Sequence, residues 1–145
     1  MTADPVPPAP TPTQSMRSAE ELEHFLVWLP TSWYANPKGV TGQDYLTGVR
    51  NSVEWVLGRQ RESPIRCQRS DGPVTSSDVH HEHRSAHEAM RDGADHVRHE
   101  YRLRPQDTMV FSLQYFTGVE HTLYWVLGHG GISLPEDWPW PAEFR

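Results

Sequence analysis

Two stretches decide how this chain folds: Tyr45–Gly58, YLTGVRNSVEWVLG, and Tyr115–Gly128, YFTGVEHTLYWVLG. They align without a gap at an offset of 70, and eight of the fourteen positions are identical. Leu46/Phe116, Ser52/Thr122 and Val53/Leu123 are conservative exchanges. Self-similarity of this kind marks a repeated structural unit. In the first copy Tyr45, Leu46, Val49, Val53, Val56 and Leu57 share one side of a helix, and Val119, Leu123 and Val126 do so in the second. Gly58 and Gly128 follow where a helix end favours glycine. The repeat predicts a duplicated helical hairpin, and two such hairpins make an all-α four-helix bundle with approximate two-fold symmetry.

Working outward, each repeat needs a partner helix. Ser18–Leu29 opens with Ser18 and Glu21, the spacing of a capping box, and carries Leu22, Phe25, Leu26 and Leu29 on one face before Pro30. Glu21 and His24 have a metal-motif spacing but point away from that face. The second helix is expected over Gly42–Leu57 and the third over Ser77–Leu103, where Val79, Ala86, Met90, Val97 and Tyr101 align and Gly93 is a weak point. The fourth is expected over Asp107–Leu127, with a β-tolerant opening at Met109–Phe111.

The organisation that follows is a Pro/Ala/Thr-rich disordered tail over 1–16, a bundle over 17–130 with hairpins 18–58 and 77–128, and a Trp/Pro-rich irregular tail over 131–145. The polar stretch between the hairpins, 59–76, reads as a flexible linker.

The repeat also exposes a second face. With Val49 as the centre of the stripe, Gly48 lies at about 260° and Trp55 at about 240°, counting 100° per residue. Gly118 and Trp125 repeat the pair. A glycine lets a backbone or ring approach closely, and a tryptophan can cover the groove so made. These four residues therefore pack helix against helix inside the bundle, or form a paired aromatic surface for a partner or a second copy. Trp33, in the loop 31–40, either caps a core end or forms a lip to such a surface.

Six of the nine histidines fall in the third helix. His80, His83 and His87 lie on one flank of its apolar stripe, and three imidazoles with a water make a catalytic zinc set. The opposing reading is a polar flank with incidental histidines, since a single helix seldom supplies three ligands. His81, His96 and His99 face solvent, and HHEHRSAH lacks the order of a zinc-protease helix.

The remaining features exclude more than they assign. Thirteen Lys+Arg against nineteen Asp+Glu leave a net charge of −6, the wrong sign for nucleic acid or an anionic membrane. No run is apolar enough to span a bilayer, and Met1–Gln14 lacks the regions of a secretory signal. Cys67 is the only cysteine, which excludes an internal disulfide and points to a reducing, cytoplasmic setting. No phosphate-binding loop or nucleophile motif is present. Lys38 is the only lysine, as a GC-rich coding sequence would give. The WVLG endings resemble small proteins encoded by actinobacteria and their phages, a resemblance confined to the repeat that implies no activity. The expectation is a non-enzymatic interaction or assembly protein without a cofactor, binding a protein partner or itself. The alternative is a bundle holding zinc or another divalent metal on His80, His83 and His87.

Overall fold

Three helices of this chain start at side chains that take up the first free amides. In the computed structural model, which describes residues 16–29, 39–69 and 71–129, Ser18 Oγ accepts from Glu21 N while Glu21 Oε1 accepts from Ser18 N. That reciprocal cap opens α1 (Ala19–Trp28). Thr75 and Asp78 repeat the arrangement at α3 (Ser76–Asp92), and Ser112 caps α5 (Leu113–Val126) through Tyr115 N at 3.1 Å. α2 runs over Gly39–Val56, three residues further forward than the sequence suggests. Gly58 and Gly128, with φ of +81° and +91°, close α2 and α5. The expected tails and the loop bearing Trp33 lie outside the described residues, except where residues 16 and 129 border them.

Two expected helices differ. The third breaks at Gly93, whose φ of +92° and ψ of 170° no helix can hold, so α4 (Ala94–Tyr101) follows as a separate element. Among the described residues five α-helices result, where four were expected. The apolar stripe survives the break, because Val79, Ala86 and Val97 are all buried and Met90 and Tyr101 pack against the same core. The fourth helix does not begin at Asp107. Pro105–Asp107 form one 3₁₀ turn, and Arg98 then holds Thr108 through its Oγ1 at 2.7 Å and its carbonyl at 3.0 Å. Helical bonding resumes only at Leu113, after the Ser112 cap.

The described chain is all-α, with no strand among the described residues and a lone bridge between Glu62 and Arg69. α2 and α5 cross as the central pair, α3 packs on α5, and α1 borders α2. Phe25 of α1 reaches the Trp125 ring, centroids 4.7 Å apart. Leu46, Val49, Val53, Phe116, Val119 and Leu123 fill the crossing, each worth about 1.5–3 kcal/mol on burial. Arg17 ties the approach to α1 onto the end of α5. Its backbone amide donates to Val126 O and its Nε to Trp125 O, at 2.8 and 2.7 Å, while its guanidinium lies 4.4 Å from the Trp125 ring centroid. A cation over an aromatic face and beside free C-terminal carbonyls is favourable on both counts.

Within the stretch read as a flexible linker, the loop 60–69 is anchored on the core. Ile65 is fully buried, and Glu82 reaches it from α3. Glu82 Oε2 accepts from Ile65 N and Arg66 N at 2.6 and 2.9 Å, and its Oε1 accepts from Arg66 Nε at 2.5 Å. A buried carboxylate is tolerated there because two amides and a guanidinium replace its water. No described helix is long and apolar enough to cross a membrane.

Candidate functional site

The repeated glycines mark the helix crossing. A Cβ built on Gly48 would strike the carbonyl oxygen of Tyr115, and one on Gly118 would strike that of Tyr45. Further backbone atoms wait at 3.1 Å in both cases, Val119 N and Tyr45 C. The contact is reciprocal, each repeat's glycine lying under the other's tyrosine. Ser52 and Thr122, also equivalent, both donate at 2.7 Å to the carbonyl of the glycine in their own helix. Trp55 and Trp125 are 1% and 4% exposed, so both rings are core. The four repeat residues thus lie within the chain's own packing. Trp55 keeps one polar peculiarity: its Nε1–H is buried without an acceptor among the described residues.

The histidines of α3 do not gather. His80 and His87 are exposed, and His83 turns to α5, where its Nε2 lies 2.6 Å from Glu120 Oε2. Among the described residues no group of three His, Cys, Asp or Glu is placed to hold a metal. His83 belongs instead to a chain of polar side chains linking three helices. Glu120 Oε1 lies 3.7 Å from His121 Nε2, and His121 Nδ1 lies 3.0 Å from the Tyr45 hydroxyl. The His83 ring stacks on Tyr124, and Tyr124 on His129, with centroids 5.7 and 4.5 Å apart.

At the equivalent position in the other repeat, Asn51 Nδ2 donates to the Tyr115 hydroxyl at 3.3 Å, and that hydroxyl donates to Pro64 O at 2.9 Å. Burial pushes the Tyr115 hydroxyl well above its usual value. Here the side chains open into a cleft between the 60–69 loop and the 102–111 segment. Its two lobes measure about 430 and 480 Å³ and meet at Glu62, Cys67 and Asp107. Burial, followed by the charges of Glu62, Glu82 and Asp107, pushes the Cys67 thiol up to about 11. The thiol is therefore a poor nucleophile at neutral pH.

Glu82, His121 and the cleft escaped the reading by residue type. Glu82 had a signal: Val79, Glu82 and Ala86 follow the i, i+3, i+7 spacing of one face. Ile65 had one too, as one of two branched aliphatics, with Val74, in a polar stretch. The cleft had none, because it is built from two segments that only the fold brings together. No family model matches the chain, and neither a curated protein nor a solved structure does.

Proposed function

We propose that the chain is a small non-enzymatic interaction protein, built by duplication of a helical hairpin into a four-helix bundle in which α3 and α4 form one kinked arm. The reciprocal glycine–tyrosine crossing supports the duplication. The three positions at which the repeats differ most support the interaction: Arg50/Glu120, Asn51/His121 and Glu54/Tyr124. Most identical positions serve the crossing and the core, while these three are partly buried or exposed in both copies. On α5 they give a face with Tyr124, 44% exposed, between two imidazole rings. A partly exposed tyrosine in a rigid polar frame is the kind of residue that anchors protein interfaces. That exposed ring is the observation that carries the reading. Nothing favours the zinc alternative, since Glu120 occupies His83 and the other two histidines are solvated.

Sedimentation over a wide concentration range tests the homodimer form, comparing the parent chain with Tyr124→Ser. The expected result is reversible self-association that Tyr124→Ser removes at an unchanged melting temperature. A photo-crosslinking residue at position 124, used in the protein's own cells, tests the form with a different protein partner. A strictly monomeric chain that yields no adduct at 124 sinks the proposal.

A further inference from the structure

We propose that the cleft between the 60–69 loop and the 102–111 segment binds a small organic anion, an acidic head on a planar apolar body, with Arg61 and Arg102 as its cations. The site is separate from the Tyr124 face, and either can fail without the other. Charge is the first argument. The chain carries −6, yet this cleft is lined by four arginines against two carboxylates. Arg104 holds Asp107 at 2.8 Å, and Arg69 stands 3.8 Å from Glu62. Arg61 and Arg102 have no carboxylate partner among the described residues, and each lobe contains one of them. A free guanidinium presents a planar fork of donors that matches a carboxylate or a phosphate.

The walls limit the rest of the ligand. Phe111 and Tyr115 stack with centroids 5.7 Å apart and planes at 23°, forming an aromatic wall to the lobe that contains Arg61. Two lobes of this size, both open to solvent, suit a small molecule; a nucleic-acid strand needs a longer row of cations. Backbone conformation points to the same place. Cys67 and Arg102, with φ of +54° and +55°, are the positive-φ residues other than glycine among those described, and both line this cleft. Arg102 takes this conformation as the cap that ends α4, while at Cys67 the surrounding loop enforces it.

Isothermal titration with four probes tests the site: benzoate, phenyl phosphate, inorganic phosphate and phenol. Saturable one-to-one binding is expected for the first two, with at least tenfold weaker binding of inorganic phosphate, which lacks the ring, and of phenol, which lacks the charge. Arg61→Gln and Arg102→Gln should each weaken binding at least tenfold, and Arg84→Gln, on an exposed face of α3, should leave it unchanged. Because Cys67 stands where the lobes meet, bound probe should also slow its alkylation. Both arginines are exposed, so the variants should melt with the parent; if Arg102→Gln does not, Arg61→Gln decides alone. Absence of saturable binding up to about 10 mM probe, which is weaker than roughly −3 kcal/mol, overturns the proposal. So does binding that survives the double Arg61→Gln/Arg102→Gln variant. Inorganic phosphate binding as tightly as phenyl phosphate overturns the planar body.

Discussion

At Cys67 a single side chain reports on its surroundings. Its thiol is half-buried, and burial, followed by the charges of Glu62, Glu82 and Asp107, pushes its pKa up to about 11. A raised thiol pKa means less thiolate at any pH below it, so alkylation near neutrality should run slower than for a free thiol, by roughly tenfold once the greater nucleophilicity of a more basic thiolate is allowed for. The rate should still be climbing at pH 10, where an ordinary thiol has levelled off. Alkylation by iodoacetamide across pH 7–11 measures this, and a plateau near pH 9 would contradict the environment described. Glu82 governs the same loop from beneath. Glu82→Gln preserves volume but places an amide NH₂ where donors point and leaves Arg66 uncompensated. Breaking a buried pair in this way costs about 3–5 kcal/mol. Thermal melting should show that loss, and Cys67 should become more reactive as the loop loosens. A variant that melts like the parent would mean the loop is held by something other than this carboxylate.

Among the elements, glycine matters for two different physical reasons, and substitution separates them. Gly48 and Gly118 sit within α2 and α5, yet a Cβ at either would meet the opposite backbone. Gly48→Ala and Gly118→Ala should each destabilise by about 1–3 kcal/mol, although alanine is the better helix former, and leucine should be worse at both. Gly93 has open space around it but a φ of +92°, so Gly93→Ala should cost about 1–3 kcal/mol through conformation alone. Denaturant melts of the three variants give these values, and higher stability in any alanine variant refutes its assignment. The same residues show what the sequence disclosed. The pairing of Gly48 with Gly118 and the apolar stripes were visible because both are periodic, and period survives any tertiary context. Gly93 was visible as a weak point, but its positive φ depends on how α4 must turn to keep Val97 buried. The late start of α5 was hidden because Thr108 is fixed by Arg98, a contact that no local pattern encodes. His83 was placed on the correct flank, but its partner Glu120 belongs to another helix, and so the flank read as a metal set.

For the whole molecule, stability should be uneven, and the architecture says where. α2 and α5 bury their crossing on both sides of the glycine pair, with Leu46, Val49, Val53, Phe116, Val119 and Leu123 all in the core. Opening either helix exposes that entire set, so their amides should exchange only through unfolding of the whole described domain. α4 has eight residues, buries only Val97 and follows a glycine that supplies no side-chain cap. Its polar ties to the rest are Tyr101 with Ser85, 3.0 Å apart, and Arg98 with Thr108 and the Phe111 ring. A short helix with one fully buried apolar residue, Ala94 and Tyr101 only partly buried, and few polar ties opens at a small fraction of the global free energy. Native-state hydrogen exchange should therefore show α4 exchanging first and α2 with α5 last and together. α3 should divide, its first half protected by Val79, Glu82 and Ala86 and its last turn exchanging with α4. Adding Tyr101→Phe, which removes one of the two polar ties, should speed exchange in α4 and leave α2 and α5 unchanged. Equal protection in α4 and α5 would mean that Gly93 is a bend inside one cooperative unit, and the kinked arm would then unfold as a single helix.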